Sequence, residues 1–481
     1  MHWRSIARLF GVLLMLYSLS FLPPIAVSFF YVDGEWGDFA VSLVTAVAVG
    51  FVLWWPNREH KRELTVREGF LFVTLFWVGL GFVSSIPFII GLHLDLTDAL
   101  FESISGFTTT GATVVVGLDR LPPSVLYHRQ QIQWLGGMGI IVLAVAILPM
   151  LGVGGMQLYK AEASGVSKQE KLTPRIAETA RLLWFIYFML TLACALAYWA
   201  AGMRLFDAIG HAFTTVATGG FSTHDQSIAF YDSPVIESVA IFFMLAGGIN
   251  FTVHFLAWKR GSLRAYFENA ELRAYLATFI VGALAVAASL ALLGVYGGTV
   301  ESIRHGIFQV ASILTSTGLT TDVYGDWPLH IPFLLILLSF IGGCVGSTAG
   351  GIKVLRIMVL GKLGVRQLFK LTHPQAMPVI KVGDSVVNPE VVYSVLGFVV
   401  LYAVTSLALT AAMMLAGLDL ESAVGAVVAT INLLGPGLGE VETNFVTVAP
   451  AVKWLAIVGM LVGRLEVFTL LILFTPAYWR N

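Results

Sequence analysis

Long apolar stretches alternate with short polar ones along the whole chain. A helix crossing a hydrocarbon layer of about 30 Å needs about 20 mostly apolar residues. Such stretches run over 6–31, 38–55, 69–91, 131–152, 181–202, 235–257, 274–296, 330–360, 392–416 and 452–475, and they predict roughly ten spans. Between some of them lie apolar stretches of about 12 to 15 residues. These are too short to cross and fit re-entrant segments. The N-terminus, "MHWRSIAR", starts like a secretory signal, but its apolar run is long and no small-residue cleavage pattern follows cleanly. It reads as a retained helix, kinked near Pro23 and Pro24.

The polar segments contain a repeat. "FTTTGATV" (107–114), "VATGGFST" (216–223), "LTSTGLTT" (314–321) and "LLGPGLGE" (433–440) resemble one another, and their glycines align as Gly111, Gly220, Gly318 and Gly437. The period is near 100 residues, enough for a helix, a short re-entrant helix, a loop and a second helix. Asp98, Asp207, Glu301 and Glu421 precede the four glycines and fit the first turns of the short helices, where a carboxylate satisfies free N–H groups and the positive dipole end. The spanning helices that follow are expected to open on small residues at 136–140, 246–250, 342–346 and 462–466.

Composition and charge narrow the class. The chain has 481 residues, 57% hydrophobic and 12% charged, with a mean hydropathy of +0.84. Soluble domains carry about 25% charged residues, so this is a polytopic membrane protein. The formal net charge of −1 gives no footprint for nucleic acid. Cys194 and Cys344 lie in apolar runs and read as buried, inert thiols. Lys and Arg gather at 56–68, 159–175, 258–273 and 353–370, which should be cytoplasmic. The opposite connections carry Asp225, Asp232, Glu237, Asp322, Asp326, Glu440 and Glu442, with few bases apart from Arg120 and Arg129. They fit either a cation-concentrating outer mouth or ordinary solvated loops.

Irregular backbone survives at membrane depth only where it lines a cavity or is buried in protein. Four such loops around one axis can aim carbonyl oxygens inward and replace the water shell of a cation. Glycine allows the positive φ that this geometry requires. The loops hold no carboxylate at their centres, which suits a monovalent ion, since Ca²⁺ recruits Asp or Glu. Taken singly, each loop also fits a helix-packing or turn element. His211, His254 and His305 share no metal spacing and read as satisfied helix histidines. The chain carries no HExxH, no GxSxG and no paired carboxylates at the repeat centres, so an intramembrane enzyme is excluded as a reading.

These loops, with "GGMGIIVLAVAILP", "KLTPRIAETAR" and "GRLEVFTLLIL", resemble the TrkH/KtrB/HKT superfamily of potassium transporters, and most of all its bacterial TrkH branch, over essentially the whole chain. The resemblance implies an all-α polytopic membrane protein of the bacterial inner membrane. Two N-terminal helices (1–62) would precede four units of spanning helix, pore helix and spanning helix, in pseudo-fourfold arrangement around one pore, at 63–160, 161–262, 263–372 and 373–481. It implies potassium uptake through a filter of Thr110, Gly111, Gly219, Gly220, Thr317, Gly318, Pro436 and Gly437, with glycine at 111 going with K⁺. It also implies an intramembrane gating loop over 342–353, a homodimer, and a cytoplasmic nucleotide-binding regulatory ring of the TrkA type. The ring would dock around 159–175, 258–273 and 353–386. No Walker A and no strand-linked GxGxxG occurs, so any nucleotide must be bound by another polypeptide. An ion-coupled symporter (H⁺ or Na⁺) and a weakly selective K⁺/Na⁺ channel remain alternatives, and the only ligand implied is the transported potassium ion.

Two further features lie below the expected filter. "GGCVGSTAGGIK" carries Gly342, Gly343, Gly346, Gly350 and Gly351, and each interior glycine costs a helix about 1 kcal/mol against alanine. An unwound loop or close helix packing would explain it, and the resemblance favours the loop. Arg464 and Glu466 stand in mid-span at i, i+2, so they cannot face each other on a helix and each needs another partner. Arg464 either faces the pore as part of the gate or clamps another repeat.

Overall fold

The computed structural model describes residues 1–60, 62, 64–142 and 172–480. The first stretch forms a bent rod, Trp3–Ser18 and Leu22–Tyr31 joined by a 3-10 turn at Leu19–Phe21 just ahead of Pro23 and Pro24. Helices Trp36–Trp54 and Val66–Ile90 follow. A capping box, Thr65 with Glu68, starts the second of these. Gly11 and Gly50 let the first and second spans touch backbone to backbone, since a Cβ on Gly50 would lie 2.7 Å from the Gly11 carbonyl oxygen.

Among the described residues, six helices are long and apolar enough to cross a membrane, or up to eight if each of two bent pairs is one span. The other two expected spans are accounted for otherwise. The stretch 131–152 begins in helix Pro123–Val142, and its remainder lies outside the described residues. The stretch 330–360 is a short helix, His330–Ile341, followed by irregular backbone to Lys353 and then helix Val354–Thr372. The bent pairs are Pro234–Gly247 with Phe251–Arg260, at 95°, and Pro450–Arg464 with Glu466–Phe474, at 108°. A two-stranded hairpin, Lys381–Val382 with Ser385–Val386, is the only sheet among the described residues. Most of the basic segment 159–175 lies outside them.

Four short helices are buried among the long ones: Leu96–Phe107, Leu205–Val216, Thr299–Leu314 and Leu420–Ile431. Their acidic first turns hold Asp98, Asp207, Glu301 and Glu421, as the sequence predicts. The side chains that cap are different ones. Asp95 accepts from the Asp98 N–H and Asp419 from the Ser422 N–H, while Asp98 pairs with Lys453 at 2.6 Å. The small-residue clusters do not open the following helices. The cluster at 136–140 sits inside helix Pro123–Val142, and at 246–250, 342–346 and 462–466 the helix ends or breaks. Their glycines serve close approach: a Cβ on Gly136 or Gly463 would collide with the carbonyl of Phe107 or Ile431, and one on Gly247 would lie 2.9 Å from the Val216 oxygen. Phe107, Val216 and Ile431 are the last residues of three short helices.

Candidate functional site: four loops and the segment beneath them

Each short helix ends four residues before a glycine with positive φ: Gly111 (86°), Gly220 (78°), Gly318 (78°) and Gly435 (92°). Two residues before each glycine stands another positive φ, at Thr109 (52°), Thr218 (51°), Ser316 (52°) and Leu433 (58°). The backbone hand alternates at the same two positions in all four loops, the alternation a loop requires if its successive carbonyls are to face one axis. The fourth loop is therefore in register at Gly435, two residues earlier than the sequence alignment on Gly437. Gly437 has no positive φ; its N–H donates to the Val441 carbonyl at 3.0 Å and its carbonyl accepts from the Tyr324 hydroxyl at 2.7 Å.

The four glycines close a ring. A Cβ on Gly111 would collide with the carbonyl oxygen of Gly219, one on Gly220 with that of Thr317, and one on Gly318 with that of Leu434. One on Gly435 would lie 2.8 Å from the carbonyl oxygen of Thr110. Each loop thus packs its glycine against the carbonyl just before the next loop's glycine, in the cyclic order one, two, three, four, one. Thr110, Gly111, Gly219, Gly220, Thr317 and Gly318, all singled out from sequence, meet here.

Side chains hold the loops from behind. In the first and third loops a hydroxyl pair spans the bend, Thr108 to Thr110 at 2.8 Å and Thr315 to Thr317 at 2.7 Å. In the second, Gln133 donates to the Gly219 carbonyl at 2.6 Å and accepts from the Phe221 N–H at 3.0 Å. In the fourth, Asn432 bonds Tyr402 and donates to the Ser339 hydroxyl at 2.8 Å. Gln133, Asn432 and Tyr402 were not legible in this role from the sequence. Gln133 and Tyr402 come from helices remote from the loops they hold.

On one side the ring opens into a cavity of about 350 Å³. Gly111, Gly220, Gly318 and Pro436 line it, with Asp225, Asp322 and Glu442 among the walls. These acids also fasten the loops: Asp225 accepts from the Gly117 and Leu118 N–H groups, and Glu442 from the Gly325 N–H at 2.5 Å. Asp232 and Glu237, by contrast, pair with Arg304 at 2.9 and 2.7 Å. His224 on the cavity wall bonds the Asp119 carboxylate and lies 3.7 Å from that of Asp207. Burial alone would lower its pKa, but the two carboxylates outweigh that and hold it above the ordinary histidine value.

On the other side the ring is closed. The segment after His330–Ile341 folds back on itself, with Ile352 N–H donating to the Phe340 carbonyl and Lys353 N–H to that of Ile341, both at 2.9 Å. Gly342, Gly346 and Gly351 have positive φ, so the glycine cluster is irregular backbone, not packed helix. Its tip reaches the positive-φ residue of three loops. The Thr218 hydroxyl donates to that of Thr348 at 3.1 Å, the Gly350 N–H donates to the Ser316 hydroxyl at 2.5 Å, and a Cβ on Gly350 would lie 3.0 Å from the Leu433 Cβ. The remaining position, Thr109, accepts from the Arg464 guanidinium, which also donates to the Thr348 carbonyl at 3.2 Å. Segment and arginine together therefore touch all four loops. Thr348 also bonds the Val216 and Gly247 carbonyls, each at 3.1 Å, and Cys344 N–H donates to the Gly248 carbonyl at 2.9 Å. The bend in the second repeat is thus tied to this segment.

The 108° bend separates Arg464 from Glu466, and each finds its own partner. Glu466 pairs with Arg356 at 2.6 Å, whose guanidinium lies 4.1 Å from the centre of the Phe398 ring. Lys353 donates to the Ala349 carbonyl. His211 bonds the Asp207 carbonyl and the Ser222 hydroxyl, His254 bonds Tyr266 and the Ala246 carbonyl, and His305 bonds Thr321. No group of three or more His, Cys, Asp or Glu able to hold a metal occurs among the described residues, and Cys194 and Cys344 are buried and free.

A sequence profile of the family described as "TrkH: Cation transport protein" matches residues 38–481. The chain is 50% identical to the Trk system potassium uptake protein TrkH of Escherichia coli K12 over 483 residues, and 50% identical to that of Vibrio parahaemolyticus over 487, covering 100% of each pair. The Escherichia coli potassium uptake protein TrkG is 39% identical over 482 residues, covering 100% of this chain and 99% of that one. The crystal structure of the potassium transporter TrkH from Vibrio parahaemolyticus superimposes with a TM-score of 0.94 at 47% identity, covering 100% of both chains.

Proposed function

Because the chain belongs to the TrkH family of cation transport proteins, we propose that it takes up potassium across the bacterial inner membrane through the ring of four loops. It is a membrane transport protein and not an enzyme. The observation that carries the potassium reading is the ring itself, in which Gly111, Gly220, Gly318 and Gly435 each pack on a neighbouring carbonyl. The carbonyls of Thr110, Gly219, Thr317 and Leu434 form one layer of ligands for a dehydrated monovalent cation. Pro436 bounds the outer floor of the ring, and Gly437 supports it from outside.

The gate is the segment Gly342–Lys353 with Arg464. Its glycines Gly342, Gly343, Gly346, Gly350 and Gly351 let irregular backbone cross directly under the loops. Arg464 places a positive charge where the ion would leave the filter. Opening requires the hydrogen bonds to Thr109, Thr218 and Ser316 to part. The chain works as a homodimer, and a TrkA-like nucleotide-binding ring on the cytoplasmic side sets the gate through the basic segments 258–273 and 353–386.

The test is Rb⁺ and Na⁺ uptake into liposomes holding the full-length chain, with Gly111→Ser beside it. Rb⁺ flux blocked by K⁺, and loss of discrimination in the variant, support the reading. Equal Rb⁺ and Na⁺ flux, unaffected by Gly111→Ser, would refute it.

A further inference from the structure

Nine residues before the ring glycines the short helices carry Glu102, His211, Gln309 and Ala426. Three of these side chains are polar, and all three reach the outer edge of a loop. His211 bonds the Ser222 hydroxyl at 3.0 Å, Gln309 donates to the Asp322 carbonyl at 2.8 Å, and Glu102 accepts from the Val114 N–H at 3.0 Å. The first repeat alone uses a carboxylate, and it supplies a cation to match. Arg129, from helix Pro123–Val142, pairs with Glu102 at 2.7 Å; the side chains are 1% and 0% exposed.

Arg129 does more than neutralise Glu102. Its guanidinium donates to the Thr113 hydroxyl at 3.1 Å and to the Ser222 carbonyl at 3.4 Å, and it lies 4.3 Å from the centre of the Phe221 ring. Thr113 and Ser222 are the second residues beyond Gly111 and Gly220, so one side chain fixes the outer edge of two adjacent loops. The Thr113 hydroxyl donates to Glu102 at 2.9 Å and completes the link. Arg129 also forms part of the mouth wall, where a bare positive charge would repel the entering cation. A buried ion pair is weak evidence for stability, since well-packed apolar residues often serve as well. Its placement here, bridging two loops beside the ion's path, is explained by positioning.

We propose that Arg129 is a positioning residue for ion discrimination, and that Glu102 cancels the charge that Arg129 brings to the mouth. The guanidinium sets the spacing of the first and second loops. The carboxylate keeps that quadrant of the mouth neutral. The two roles are separable: Thr113→Val removes the bridging hydroxyl at constant charge, while Glu102→Gln leaves Arg129 uncompensated.

The proposal rests on the filter reading, and the experiment separates their failures. Rb⁺ and Na⁺ uptake is measured over a range of concentrations in liposomes holding full-length wild type, Glu102→Gln, Thr113→Val, Arg129→Lys or the Glu102→Gln/Arg129→Gln double variant. Wild type that passes Rb⁺ without block by K⁺ would refute the filter reading itself. Given a selective wild type, Glu102→Gln weakens apparent Rb⁺ affinity by about tenfold, the size expected for one uncompensated charge near the path. The double variant recovers most of that affinity but keeps a lowered Rb⁺/Na⁺ ratio. Thr113→Val and Arg129→Lys lower the ratio several-fold with affinity near wild type. Wild-type ratios in both of these, or a Glu102→Gln affinity unchanged from wild type, would overturn the proposal. If Glu102→Gln fails to fold, Thr113→Val, which alters no charge, decides it.

Discussion

Gly435 of the fourth loop packs against the carbonyl of Thr110 in the first, at 2.8 Å from where a Cβ would stand, and this contact closes the ring. At φ 92°, Gly435 holds a conformation that side chains rarely adopt, and strain there costs about 1–3 kcal/mol. Gly435→Ser is therefore expected to lower the Rb⁺/Na⁺ uptake ratio as Gly111→Ser does. Gly437→Ala crowds Val441 and the Gly425 carbonyl without entering the ring. It should lower the melting temperature while the folded fraction keeps the wild-type ratio. Paired flux and melting measurements on the two variants check the register.

The closed side of the ring gives a second expectation. Arg464 donates a hydrogen bond to Thr109, and Thr348 holds the segment to the second repeat through the Thr218 hydroxyl and two carbonyls. Arg464→Ala removes a positive charge and one of the four contacts, so basal Rb⁺ flux in liposomes should rise, by about tenfold for a barrier lowered by about 1.4 kcal/mol. Thr348→Val should raise it less. Deleting two or three residues between Gly343 and Gly350 should raise it most. Unchanged flux in a well-folded deletion variant would count against the gate.

Much of this arrangement was legible because glycine and threonine in a membrane chain must answer for exposed backbone. The loops at 107–114, 216–223 and 314–321 aligned correctly on that ground. The fourth did not, because "LLGPGLGE" offers two glycines two residues apart, and Pro436 stands where the others have Ala112, Phe221 and Leu319. The short helices held the missing signal: the first, second and fourth start fifteen residues before their ring glycine once Gly435 is chosen, and the third is one turn longer. The 108° bend left little trace, since "VGRLEVF" holds no breaker beyond Gly463. The bend depends on a positive φ at Glu466 (51°), stabilised from outside by Arg356. Glu102 escaped notice inside its short helix, and Arg129 reads from the sequence only as one of the few bases of the outer connections; nothing in the spacing of 102 and 129 brings the two together.

The Arg356–Glu466 pair predicts an asymmetric response. Arg356 is 5% exposed and Glu466 22%, so removing the carboxylate leaves a nearly buried guanidinium beside Phe398 with the Ile352 carbonyl as its remaining hydrogen-bond acceptor among the described residues. Breaking such a pair on one side costs about 3 kcal/mol or somewhat more. Glu466→Gln should therefore lower the melting temperature in detergent clearly, and Arg356→Met/Glu466→Leu together should lower it less than Glu466→Gln alone. Equal loss in both would mean that the pair matters only for packing.

His224 gives the outer mouth a pH dependence whose sign follows from its partners. Asp119 and Asp207 hold its pKa above the ordinary value of about 6.5 despite partial burial. A group whose pKa is raised on folding contributes its full stabilisation below the unfolded value, and that contribution fades as pH rises through the folded value. The link between the first outer loop, at Asp119, and the second short helix, at Asp207, is thus strongest under mildly acid conditions and weakens toward alkaline pH. The stacked Phe230 ring, 3.5 Å away between centroids, keeps the imidazole in place in either state. Melting temperature followed from pH 5 to pH 9 should show a falling component in wild type that His224→Gln lacks, since glutamine can bond both carboxylates but carries no charge to lose. A variant with the same slope as wild type would assign the pH dependence to other groups of the mouth.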